Sequence, residues 1–438
     1  MDALTGWLIA LTVISAWIVL VYILAKKGLL ARLNMAPVGP IIMWKTKRGR
    51  DFLDRLSRPK RFWRAYGDFA IVLCIASMVI LMGLLIWEAT LVPSIPKASA
   101  PSPELALGVP GINPVIPIGY GILGLAVAII VHEFLHGVLA RTAGIRLQSL
   151  GILLFVFPIG AFVEPDEEEM QKMPRHARAR LFAAGPATNI IFALLFALVF
   201  SNAMMGSVRP AHEGVGIRDY SMSNSPAQQA GLVPGMIIFR ANNTNISNLA
   251  DMVTVLDNAV PGEKIPVMAY YHGDVSTHIV NLTESGGRAV MGVVLMTVTT
   301  AYFHPIGGAD FFGGLDRSAF SYLTLPFSRI QPTEGAVADF YVIEGAWASI
   351  PAPLFWLLAN SFYWLMWLNI MLGATNALPA IPLDGGYIFR DGMDAVLERT
   401  NSQMSAERRQ KVIRGVSYSL ALFVLALILW QFVGPRIL

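Results

Sequence analysis

Between Val131 and Gly137 the chain reads VHEFLHG, which sets His132 and His136 four positions apart with Glu133 between them. On a helix this spacing puts both imidazoles on one face, one turn apart, where they can share a metal ion while Glu133 stands alongside. That is the HExxH arrangement of a zinc site. Two blander origins compete with it. A chain of 438 residues with seven histidines can carry the pattern by chance, and polar groups in apolar helices also join helices together.

The elements that must position these residues are membrane helices. Apart from Glu133, no Asp, Glu, Lys or Arg occurs from Leu105 to Ala140. A span from about Pro117 to Leu139 therefore carries the motif, and ionisable groups in hydrocarbon are costly enough to imply function. The composition agrees: 55% of residues are hydrophobic and 14% charged, which excludes an ordinary soluble protein. The single cysteine, Cys74, excludes a disulfide framework and a cysteine-based metal site within one chain. The net charge of +4 lies beside membrane segments, where it sets topology, and does not point to nucleic acid.

Taken in order, the chain predicts a mainly α, polytopic membrane protein with six transmembrane helices. Residues 1–116 hold two of them, Ala3 to Leu24 and Phe69 to Trp87, around a loop with twelve Lys or Arg between residues 26 and 67. By the positive-inside rule that loop is cytoplasmic and the N-terminus outside. In residues 117–206 the HExxH span runs inward, with His132 about 13 Å before Arg141 at 1.5 Å per residue, so the site falls in the cytoplasmic half of the bilayer. Leu150 to Val163 is apolar but only fourteen residues long and is broken by Pro158 and Gly160, which predicts a re-entrant β-hairpin against the site. Leu181 to Met205, with Gly185, Pro186 and Asn189, is the fourth span. Asn189 either orients substrate or joins two helices.

Residues 207–298 turn polar and Gly-punctuated, predicting an α+β extramembrane domain on the outer side. Its SPAQQAGLVPGMII stretch (Ser225 to Ile238) is similar to PDZ domains, which bind extended peptide at a sheet edge, and Val215, Gly216 and Ile217 are candidates for a terminal-carboxylate loop. A rigid plug that excludes bulky substrates is the alternative. Residues 299–350 read as a linker, and 351–438 supply the fifth span, Pro353 to Leu378, and the sixth, Val416 to Val433.

A catalytic zinc site takes a third protein ligand. Asp384, in NALPAIPLDGG (Asn376 to Gly386), lies where Pro379 and Pro382 unwind the inner end of the fifth span. Taken by itself, the residue reads first as the start of a cytoplasmic turn that caps the next segment. Glu164 and Glu167 to Glu169 are rival ligands in a charged loop. A non-catalytic scaffold or chaperone with a structural metal site, or a metal-ion transporter, are rival functions.

HEFLHG, FPIGAFVEP, GPATN, a PDZ-like insertion and NALPAIPLDGG, in that order, resemble the site-2 protease family of intramembrane zinc metalloproteases. The resemblance covers about Ile118 to Asp391. It implies Zn²⁺ held by His132, His136 and Asp384, with Glu133 as general base. It further implies a hairpin, Ile152 to Val163, that offers a strand edge to a transmembrane substrate and carries Phe162 as a substrate contact, and it associates Asn189 and Asn376 with substrate handling. The lipid bilayer and a membrane-protein substrate are the implied partners.

Overall fold

The computed structural model describes residues 3–46, 50–155, 157–303, 323–401 and 403–438. The glycines expected in the linker, Gly307, Gly308, Gly313 and Gly314, lie outside them, as does His304. The chain divides into two compact units: Met1–Leu195 with Trp364–Leu438, and Phe196–Tyr363.

The first unit begins with helix α1 (Ala3–Lys26), continues through strands β1 (Met35–Val38) and β2 (Ile41–Thr46) into α2 (Lys60–Leu91), and then reaches α3 (Ile118–Thr142), which carries HExxH. Strands β3 (Leu147–Phe155) and β4 (Phe157–Pro165) lead into α4 (Arg175–Leu198). Among the described residues, five helical segments are long and apolar enough to cross a membrane: Lys60–Ser94, Ile118–Thr142, Arg175–Ser207, Ala352–Ala377 and Ala406–Ile437. The first expected span, Ala3 to Leu24, coincides with α1, whose Thr12–Lys26 stretch is apolar but shorter than these five. The protein is thus a mainly helical, multi-pass membrane protein with a separate sheet-bearing unit.

The predicted hairpin exists as β3 and β4, and it is longer than expected. It also has company: β1 and β2, from the basic loop read only as a topology signal, extend it into one antiparallel sheet of order β1-β2-β3-β4. Trp44 pairs with Ile152, and Gly151 with Phe162. Lys45 Nζ lies 3.0 Å from Glu164 Oε2, and the Ser149 hydroxyl donates to the same carboxylate. Because β2 covers β3, the hairpin's open side is β4.

In the second unit β5 (Val215–Tyr220), β6 (Ile237–Ala241), α5 (Leu249–Asp257), β7 (Lys264–Tyr271), β8 (Asp274–Asn281) and β9 (Val293–Thr297) follow one another. Their sheet order is β8-β7-β6-β5-β9, with alternate residues such as Ile265, Val267 and Ala269 buried on one face. Val215, Gly216 and Ile217 belong to β5, which is paired on both sides, so they form an interior strand and not a terminal loop. Part of the expected linker is also ordered: Tyr341–Ile343 pairs with Val208–Pro210.

The chain then enters α6 (Ala352–Ala377), breaks over 378–383, and resumes as α7 (Asp384–Thr400) and α8 (Ala406–Ile437). The break falls at the two prolines of the NALPAIPLDGG stretch, and Asp384 becomes the first residue of a new helix.

Candidate metal centre and active site

Four helices bring the site together. His132 and His136 lie one turn apart on α3, both buried, with ring centroids 4.7 Å apart. Asp384 enters from the start of α7. Helix α4 passes so close that a Cβ at Gly185 would lie 2.6 Å from His132 Nε2 and 2.5 Å from His136 Nε2. Glycine at this position keeps open the space that the two ring nitrogens face. Helix α6 approaches α4 in the same way through Gly373, where a Cβ would meet Pro186 O at 2.8 Å.

The hydrogen bonds fix which nitrogen of each ring carries the proton. Asn189 Nδ2 donates to Ala128 O at 2.9 Å and to Asn369 Oδ1 at 3.0 Å, while Asn369 Nδ2 donates to Leu365 O at 2.7 Å. Carbonyl oxygens only accept, so both amides are oriented by their surroundings, and Asn189 Oδ1 is the atom left facing His132 Nδ1 at 2.8 Å. His132 Nδ1 must therefore donate, and in the neutral ring its Nε2 carries the lone pair. His136 Nδ1 donates to Leu181 O at 2.8 Å, with the same consequence for its Nε2.

Three acceptor atoms consequently converge. His132 Nε2 and His136 Nε2 are 3.1 Å apart, and Asp384 Oδ2 lies 3.1 Å from the first and 3.2 Å from the second. One proton could bridge one pair of these atoms but not all three, whereas a cation satisfies every pair. A tetrahedral zinc with bonds of about 2.0–2.1 Å sets its ligand atoms roughly 3.3 Å apart, so the triangle matches the metal to within a few tenths of an ångström. The donor chemistry fits as well: two neutral imidazoles held from behind by hydrogen bonds, and one carboxylate. Among the described residues this is the one cluster of three His, Cys, Asp or Glu side chains able to hold a metal.

Glu133 lies beside the triangle, and its Oε2 accepts from Val163 N on β4 at 3.2 Å. Val163 also packs close to Gly137, one turn further along α3. The other expected contacts are arranged differently. Asn189 is fully buried with its amide committed to His132, Ala128 and Asn369, so its placement is behind a metal-binding ring and not in open space. Asn376 donates back along its own helix to Leu372 O at 3.0 Å. The Phe162 ring covers Gly151 on the neighbouring strand, where a Cβ would lie 2.5 Å from two ring carbons. Sequence reasoning missed Asn369 altogether. The available signal was an amide, one of three with Asn360 and Asn376, in a Trp-rich apolar helix.

An HExxH pair completed by a carboxylate from another helix belongs to the metallohydrolase class. The model of peptidase family M50 matches residues 120–424, and the chain belongs to that family, the site-2 proteases its motifs resemble. An uncharacterized protein of Methanocaldococcus jannaschii is 25% identical over 407 residues, covering 92% of this chain and 89% of the relative. A putative zinc metalloprotease of Nostoc is 26% identical over 306 residues, 60% of this chain and 82% of the relative. A regulator of sigma-E protease from Salmonella typhimurium is 31% identical over 144 residues, 26% of this chain and 30% of the relative. The protein is a zinc-dependent membrane metalloprotease.

Proposed function

We propose that this protein is an intramembrane endopeptidase that cleaves transmembrane segments of other membrane proteins, with His132, His136 and Asp384 as zinc ligands and Glu133 as general base. The observation that carries the reading is the triangle of acceptor atoms 3.1–3.2 Å apart on apolar helices, with both histidine tautomers fixed. A zinc ion held by these three side chains would supply Lewis acidity toward an attacking water and a peptide carbonyl. Glu133 would serve as general base, taking a proton from the attacking water and returning it to the leaving amine.

A substrate helix satisfies its own backbone, so it must unwind before it can be cut. The open edge of β4 offers the compensating bonds. Since Val163 N points toward Glu133 and away from β3, the alternation of a strand turns the Ala161 N–H and C=O the same way. An extended substrate pairing there would lie beside Glu133 as an added strand. Next to it, an apolar cavity of about 220 Å³ is lined by Ile122, Ala126, Ile129, Gly160 and Ala161, a size suited to one aliphatic side chain. Phe162 and Asn376 remain substrate contacts in this reading.

The loop charges support six spans with both termini outside, the hairpin re-entrant, the site in the cytoplasmic half of the bilayer, and the sheet-bearing unit outside as a PDZ-like domain that captures or excludes substrates. The cleavage belongs to regulated intramembrane proteolysis.

The test is to incubate purified protein with a single-pass substrate in detergent. Glu133→Gln should abolish cleavage while keeping its zinc, and a chelator should silence the native protein. Turnover by Glu133→Gln would refute the assignment.

A further inference from the structure

Helices α4 and α7 are joined along a line that leads from the charged end of the bundle to Asp384. Arg175 Nε lies 2.6 Å from Asp394 Oδ2, and Arg175 also pairs with Glu398. Arg178 forms a two-pronged pair with Asp391, Nε to Oδ2 at 2.6 Å and Nη2 to Oδ1 at 2.7 Å. The rings of Phe182 and Tyr387 stack at 4.6 Å and 12°. Gly185 then faces the nitrogens that share Asp384. Positions 175, 178 and 182 on one helix thus meet 394, 391 and 387 on the other, and one step further Gly185 and Asp384 lie against the same two ring nitrogens, each step of three or four residues forward matched by the same step backward. This is one antiparallel register ending at the metal site.

The register matters because α7 is not continuous with α6: the chain is unwound over 378–383, so helical hydrogen bonds do not transmit the position of α6 to Asp384. Meanwhile α4 holds both histidines from behind, through Asn189 and the Leu181 carbonyl. Whatever fixes α7 against α4 therefore fixes the carboxylate against the imidazoles. Asp391 is 4% exposed, and a buried ion pair adds little net stability while opposing alternative alignments, since a slip would leave its charges unpaired.

We propose that Arg178 and Asp391 are positioning residues for the third ligand, setting the height of Asp384 relative to His132 and His136. Arg175, at the exposed end of the line, contributes little. This inference rests on the proposed ligand set and concerns how that set is held.

Cobalt binding to the full-length metal-free protein in detergent tests it, read from the dissociation constant and the visible spectrum of the bound ion. Asp391→Asn, which keeps shape and loses charge, should weaken binding at least tenfold and alter the spectrum. The exchanged pair Arg178→Asp with Asp391→Arg should recover most of the affinity. Arg175→Gln should stay within about threefold of the native protein. Should Asp391→Asn fail to fold, Arg178→Lys decides: it keeps the charge, loses the two-pronged geometry, and should fall between native and Asp391→Asn behaviour, here at least threefold weaker than native. Asp384→Asn separates the two levels. If it binds cobalt as well as the native protein, the ligand assignment fails. If it binds weakly while folded Asp391→Asn, or Arg178→Lys in its place, binds normally, the positioning role is overturned.

Discussion

Asn189 Oδ1 accepts from His132 Nδ1 at 2.8 Å, and this one bond decides which ring nitrogen is offered to a metal. The amide cannot turn over, because its Nδ2 is held by Ala128 O and Asn369 Oδ1. Replacing it with an apolar side chain of similar size would free the ring to change tautomer and would strand two buried acceptors.

Asn189→Leu should therefore weaken zinc binding about 10–100-fold, the range found for partners that orient metal-binding histidines. Competition with a chromophoric chelator measures this directly. Unchanged affinity would return Asn189 to a substrate or helix-joining role.

Gly185→Ala places a methyl group 2.5–2.6 Å from both ring nitrogens, in the volume a metal needs. Both rings are buried and must shift to admit it, an overpacking that costs about 1–3 kcal/mol, and the protein should lose most of its zinc. Metal analysis beside circular dichroism separates loss of metal from loss of fold.

Ala161→Pro tests the strand edge. Strand alternation from Val163, whose N–H donates to Glu133, turns the Ala161 N–H away from β3, so proline should cost no ladder bond within the sheet, as edge positions permit. Zinc content should be normal while cleavage of a transmembrane substrate falls at least tenfold. Full activity would show that substrate does not pair with β4.

The sheet should respond to acid. The Ser149 hydroxyl and then the Lys45 ammonium hold the Glu164 carboxyl below its ordinary value. A depressed folded value contributes stability that is present above the unfolded carboxylate range, roughly pH 4.3, and is lost as pH falls through the folded value. Hydrogen exchange in Leu147–Pro165 should accelerate as pH drops through this acid window, after correction for intrinsic rates. Glu164→Gln should flatten that dependence and lower protection at neutral pH.

Much of the site was legible because its residues are out of place energetically. His132, Glu133, His136 and Asp384 stand out against long uncharged stretches, and Leu150–Val163 was legible as a hairpin because it is too short to cross and carries Pro158 and Gly160. Strands β1 and β2 were not legible. They are four and six residues long, interrupted by Pro37, Gly39 and Pro40, and β3, the strand that β2 pairs with, lies about a hundred residues away. The ladder of Arg175 and Arg178 was hidden for a different reason. In a membrane protein, basic residues next to a span already have an explanation in topology, and only the matched spacing of Asp391 and Asp394 reveals their second use. Asn189 was visible, but its direction was not, since a sequence shows that a buried amide needs partners without showing which.

Zinc K-edge absorption of the purified protein, compared with Asp384→Asn, probes the coordination most directly. The native spectrum should show nitrogen and oxygen ligands at about 2.0–2.1 Å, two of them with imidazole scattering and none sulfur, and Asp384→Asn should lose most of its zinc. A native-like spectrum and full zinc content in Asp384→Asn would contradict the proposed centre.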